Sequence, residues 1–158
     1  MIDGVVIQEL RFFADKRGFL VEILRNDNRL FETFGQVYMT ACTKGVAKAW
    51  HYHKHQTDIF FCTWGVALVV LYDQRKESKT FGEIQEIVLE CPSHGKSVNI
   101  IKIPPLVVHG FTSLSEPEAR IINIPNKLYD YKNPDEMRIN WDSPEIPYQW
   151  DESIKFGG

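Results

Sequence analysis

A chain of 158 residues with 44% hydrophobic and 25% charged side chains can bury one core without disulfides or a structural metal. Its net charge of −3 excludes nucleic acid and anionic membranes as partners held by bulk charge, so an anionic ligand must be gripped by a few local cations. No apolar run approaches the ~20 residues of a membrane span, and none near the N-terminus is long enough for a signal sequence. A cytoplasmic protein is the expectation.

Period-two alternation and runs of β-branched or aromatic residues dominate the chain. Strands are expected over residues 5–10, 19–24, 36–42, 46–52, 58–63, 67–72, 84–89, 97–103, 110–114 and 119–124. Turn signals separate them: Asp15-Lys16-Arg17-Gly18, Lys44-Gly45, Trp64-Gly65, Phe81-Gly82, Pro92-Ser93-His94-Gly95 and Pro104-Pro105. The spacing predicts one short helix, over residues 28–34. Beyond Ile124 the chain turns polar and is punctuated by Pro125, Pro134, Pro144 and Pro147, as an irregular segment wrapping the strands would be. Many short strands at near-regular spacing predict an all-β sandwich or closed barrel in a single domain, residues 1–158. Cys42, Cys62 and Cys91 have no CxxC spacing and read as small buried hydrophobes.

Chemistry concentrates at the histidines. In Trp50-His51-Tyr52-His53-Lys54-His55, His51 and His53 are two apart on a strand and share a face. His109 lies in a later strand, and a rolled-up barrel can bring these inward faces together at its mouth, a favoured small-molecule site. His55 and His94 read as exposed loop residues.

The spacing Gly45-x5-His51-x-His53-x4-Asp58-x6-Gly65, followed by Pro104 and His109, resembles the two metal motifs of the cupin superfamily. That likeness implies a double-stranded β-helix, the jelly-roll barrel. His51, His53, Asp58 and His109 would then suit one divalent transition metal.

A second set of residues narrows the likeness. Asp15-Lys16-Arg17-Gly18-Phe19-Leu20-Val21-Glu22, Gly45-Val46-Ala47-Lys48-Ala49-Trp50-His51-Tyr52, Asp73-Gln74-Arg75 through Thr80-Phe81-Gly82, and Ile103-Pro104 through His109-Gly110-Phe111 come in that order. Pro134-Asp135-Glu136 and Ile139-Asn140-Trp141-Asp142-Ser143-Pro144 follow them. Together they resemble the dTDP-4-dehydrorhamnose 3,5-epimerases, the nucleotide-sugar 4-keto-hexose epimerases within the cupins. The resemblance implies a cofactor-free isomerase of carbohydrate biosynthesis acting on a nucleotide-diphosphate sugar, and a homodimer whose Arg17 strand reaches the neighbour's site.

By that resemblance His51 is the catalytic base. A C4 ketone acidifies the hydrogens at C3 and C5; a neutral imidazole removes one, and the enolate needs a cation or donor beside its oxygen. Lys48 stands for the family's strand arginine, although it has the opposite parity to His51, so its aim depends on a bulge. The resemblance makes Asp73 a site carboxylate, assigns Arg17 and Glu22 to the nucleotide end, and sets His109 near the phosphates. Tyr129 and Tyr131 match the tyrosine that stacks on the base or stand in for the proton-donating one.

Four departures bear on activity. Asp58 replaces a lysine that would stabilise the enolate, Asn123 replaces the reprotonating tyrosine within the substrate site, and Leu20 replaces an aromatic residue. Asp151 is the available substitute for an aspartate that orients the base. Three functions follow: an epimerase, a metal-dependent cupin isomerase or oxygenase, and a sugar-nucleotide-binding cupin without turnover.

Overall fold

The computed structural model describes residues 1–92 and 98–158. In chain order the strands are β1 (Val6–Glu9), β2 (Phe12–Asp15), β3 (Gly18–Val21), β4 (Tyr38–Thr43), β5 (Val46–Tyr52) and β6 (Asp58–Trp64). There follow β7 (Val66–Asp73), β8 (Ile84–Glu90), β9 (Asn99–Ile103), β10 (Val107–Ser113), β11 (Glu118–Asn123), β12 (Met137–Arg138) and β13 (Phe156–Gly157). They form a five-stranded sheet, β1-β9-β6-β11-β4, and a six-stranded sheet in which β12-β5-β10-β7-β8 run in order and β13 flanks β5. β2 and β3 stand apart as a hairpin.

The two sheets face one another as a jelly roll. Phe60, Cys62, Ile101 and Ile121 from one meet Val69, Leu71, Val107 and Phe111 from the other in a common core. Alternate residues of the same strands serve outer cores. Ile59, Phe61 and Ile100 pack beneath Leu10 and Leu30, and Val70 and Val108 beneath Trp50, Ile146 and Trp150. Strands covered on both faces read as unbroken apolar runs, which is why Ile59-Phe60-Phe61-Cys62 shows no alternation. Truncating such a buried aromatic costs about 3–5 kcal/mol.

The irregular tail closes the outer side of the six-stranded sheet. Trp50 is 1% exposed and its Nε1 donates to the Trp141 carbonyl at 3.0 Å, pinning the tail to β5. The cysteines are free and buried, as expected.

The helix expected over residues 28–34 does not form, and among the described residues there is no helix. Asn28 bonds locally instead: its Oδ1 accepts from Leu30 N at 2.9 Å and its carbonyl from Phe31 N at 2.9 Å. This is the side chain–backbone bonding by which Asn competes with a helix, and it drops Leu30 into the outer core. The hairpin strand β2 was not anticipated. The strand expected over residues 19–24 stops at Val21, and Ser97, His94 and most of the turn after Pro92 lie outside the described residues.

Candidate active site

A cavity of about 650 Å³ opens between the two sheets at one end of the barrel. Tyr38 and Thr40 of β4 line one wall, Lys48 and His51 of β5 the other, and Tyr129, Tyr131, Arg138 and Trp141 of the tail its mouth. Lys48 and His51 are three positions apart, so a regular strand would point them to opposite faces. A bulge prevents this: β10 sets His109 opposite His51 but Phe111 opposite Lys48, so β5 carries one residue more than its partner. Gly110 makes the bulge possible, since a Cβ there would lie 2.3 Å from the Cβ of Ala49. The cation and the imidazole therefore share one wall.

His51 packs its ring on His109, with centroids 4.1 Å apart. Burial, and then the neighbouring His109, hold its pKa well below the ordinary histidine value, so the ring is neutral at pH 7. Lys48 Nζ donates to Thr40 Oγ1 at 2.8 Å, tethering the ammonium across the cavity.

Beneath His51 lies a buried polar layer around Asp58, which is 0% exposed. The carboxylate accepts at Oδ1 from Gln56 Nε2 (2.8 Å) and Asn123 Nδ2 (2.9 Å), and its Oδ2 stands 3.1 Å from His53 Nε2 and 3.2 Å from His109 Nε2. His109 Nδ1 donates to the Val107 carbonyl and His53 Nδ1 to the Asp135 carbonyl. Burial works to raise Asp58, but the His109 and His53 contacts overcome it and keep the carboxyl ionised. His53 is the mirror case: burial works to lower it and Asp58 raises it. Asp58 is thus one half of a buried pair, and its charge faces His53 rather than an enolate in the cavity. The Asp135 carboxylate fixes the loop above by accepting from the backbone N–H groups of Lys54, His55 and Gln56 at 2.8, 2.8 and 3.1 Å.

His51, His53, Asp58 and His109 each bring a potential ligand atom to within 4.8 Å of the others. The Asp58 Oδ2 and His109 Nε2 atoms are buried and, although 3.2 Å apart, are not aligned as a hydrogen bond. This set would fit a transition metal of N/O preference.

Several expected roles change. Asp73 does not line the cavity: its oxygens take Arg75 Nε (2.7 Å), Ser78 Oγ (2.5 Å) and Thr80 Oγ1 (2.7 Å), so this motif staples the loop after β7. His109 lies under His51, and Asn123 is buried between Asp58 and Tyr38. Asp151 is exposed and binds Ser153 N, so it does not orient the base. Arg17 and Glu22 sit on and beside the hairpin, paired with Asp15 and Arg25 and away from this cavity. Tyr129 and Tyr131 both reach the mouth, edge to face at 5.0 Å.

Sequence reasoning missed Tyr38, Thr40, Gln56 and Arg138. Tyr38 carries no motif signal, whereas the Pro134-Asp135-Glu136 echo did mark the tail segment that clamps the histidine loop.

The sequence model of the family described as dTDP-4-dehydrorhamnose 3,5-epimerase matches residues 1–156. The chain is 39% identical over 155 residues to the spore coat polysaccharide biosynthesis protein SpsL of Bacillus subtilis, covering 98% of this chain and 100% of that one. It is also 39% identical over 155 residues to the probable low-salt glycan biosynthesis epimerase Agl13 of Haloferax volcanii, covering 97% of each. Among solved structures, the dTDP sugar isomerase of Desulfovibrio desulfuricans G20 superposes with a TM-score of 0.87 at 29% identity, covering 94% of this chain and 92% of that one. Matched along almost its whole length, the chain belongs to the dTDP-4-dehydrorhamnose 3,5-epimerase family of isomerases.

Proposed function

We propose that the protein inverts C3, C5 or both in a 4-keto-6-deoxy sugar carried on a nucleoside diphosphate. The observation that carries this is the neutral His51 beside Lys48 on one cavity wall, placed there by the bulge. His51 takes the proton α to the ketone, and Lys48 offers N–H to the oxygen as it becomes an enolate. Base and oxyanion donor both come from the chain, so the reaction needs no cofactor. On this reading Tyr129 and Tyr131 at the mouth stack on the nucleobase, and Arg138 supplies a cation for the diphosphate. A Legionella pneumophila relative, 25% identical with a TM-score of 0.81, is solved as a 3,5-epimerase with dTDP-4-keto-L-rhamnose, which supports a thymidine nucleotide.

The active unit on this reading is a homodimer. Phe13, Phe19 and Leu20 are 53–58% exposed on the hairpin that carries Arg17. Pairing two copies would cover them and bring Arg17 and Glu22 to the neighbour's cavity. Three buried free thiols suit a reducing cytoplasm. Family membership sets the metal-dependent isomerase or oxygenase and the non-catalytic binding protein behind the epimerase.

The test is incubation with dTDP-4-keto-6-deoxyglucose in deuterated water, reading deuterium at C3 and C5 by NMR. Wild type is expected to incorporate deuterium at C3, C5 or both, and His51→Asn to incorporate none. Equal incorporation by the two proteins overturns the assignment of the base.

A further inference from the structure

Inversion needs two proton carriers on opposite faces of the sugar ring, and Asn123 cannot be one of them. An amide has no proton to give at this pH, and both hydrogens of its Nδ2 are engaged. One goes to Asp58 Oδ1 at 2.9 Å and the other to the Tyr38 hydroxyl at 2.8 Å. The amide's orientation is fixed, because its Oδ1 accepts from Ile59 N at 3.2 Å. Since Nδ2 can only donate, the Tyr38 oxygen is the acceptor in that bond. Its own O–H is left to point elsewhere, and the ring lines the cavity.

We infer that Tyr38 is the acid that returns a proton to the sugar carbon on the face opposite His51. The inference rests on the epimerase reading above. Tyr38 belongs to the five-stranded sheet and His51 to the six-stranded one, so the two side chains approach the cavity from opposite walls. Tyr38 is the direct cross-strand partner of Asn123, so the hydroxyl missing from β11 is supplied by the neighbouring strand on the same face. Thr40, two residues on and on that face, receives Lys48 Nζ, so the enolate donor reaches across from the wall of the base to the wall of the acid.

Tyr129 and Tyr131 are poorer choices. Tyr131 is 90% exposed and the two rings meet edge to face at the mouth. The hydroxyl of Tyr38 instead has a fixed anchor. Burial, followed by the charge of Asp58, pushes its pKa up to about 12, so the proton is in place at neutral pH.

The step balances. His51 takes the C–H proton and the bond's electrons become the enolate double bond. That double bond then takes the phenolic proton at the same carbon from the other side, and the ketone re-forms. Solvent finally removes the proton from the imidazolium and returns one to the tyrosinate.

The experiment separates exchange from inversion in deuterated water. Tyr38→Phe removes one hydroxyl and keeps the ring; a thermal midpoint near that of wild type certifies the fold. Inverted product is expected to fall by about 10²-fold or more. Deuterium exchange with retained configuration, driven by His51 alone, should fall by less than about tenfold. Tyr129→Phe and Tyr131→Phe should keep exchange and inversion in step. The inference is overturned if Tyr38→Phe inverts at the wild-type rate, if its exchange and inversion fall together, or if Tyr129→Phe shows the split instead. A wild type that exchanges no hydrogen removes the epimerase reading itself, and the role of Tyr38 with it.

Discussion

The cavity floor and the N-terminal hairpin both carry family motifs, yet they finish differently. In the floor, three histidines and an aspartate gather within 4.8 Å, and the loop after His53 is tied down by the Asp135 carboxylate. On the hairpin, Arg17 is 84% exposed and pairs with its neighbour Asp15, while Phe12 and Phe19 touch each other at 5.3 Å in the open. The difference is energetic. A buried ionisable group is tolerated only with its partners present, so the floor must be complete within one chain. An exposed ion pair is worth at most about 1 kcal/mol and imposes no such demand, so the hairpin can wait for a second molecule.

The sharpest break in this contrast is His51→Ala. It should lower kcat by about 10²–10⁴-fold while leaving the thermal midpoint close to wild type, measured by coupled assay and calorimetry. Next is Asp58→Ala, which strips the buried layer of its charge and leaves the His53 ring and the Gln56 and Asn123 amides without their shared partner. It should cost about 3–5 kcal/mol in denaturant unfolding. The sign of its pH dependence follows from the carboxyl being held below its ordinary value of 3.8. The stabilisation is present above that value and is lost as pH falls beneath it, so wild type and Asp58→Ala should converge in stability in acid. Arg17→Ala tests the hairpin: KM should rise about 10–100-fold with kcat little changed. A monomer by light scattering, or an unchanged KM, would put the hairpin outside the site.

A smaller effect concerns acidity. Because burial lowers His51, activity should hold as pH drops through 6.5 and decline only below it, when the base is protonated; a profile that bends above 6.5 would contradict a neutral buried base. Smallest of all, chelator treatment should leave turnover unchanged. Lost activity restored by one equivalent of a transition metal would reinstate the metal reading of the His51, His53, Asp58 and His109 cluster.

Legibility in the sequence followed how local each signal was. The His51-x-His53 pair was visible because strand alternation sets both on one face within three residues, and β5 began and ended where its pattern did. Tyr38 was invisible because its meaning comes from Asn123, 85 positions away and paired with it only through β11. Asp73 shows the opposite failure: its motif is plain in the sequence, but three donors from its own loop take its oxygens. The short helix was misjudged since so few residues cannot outweigh the turn bonds of Asn28. The aim of Lys48 hung on a bulge, and that bulge is a property of β5 and β10 together.

That bulge also sets what this strand can tolerate by way of length. Surface loops absorb insertions because nothing downstream depends on their count. Between Lys48 and His51 the count itself is functional: removing Ala49 would restore an even ladder against β10 and turn either the ammonium or the imidazole out of the cavity. A variant with Ala49 deleted could thus retain a jelly roll and lose its chemistry outright, and homologous recombination of this scaffold should place its crossovers outside residues 48–51.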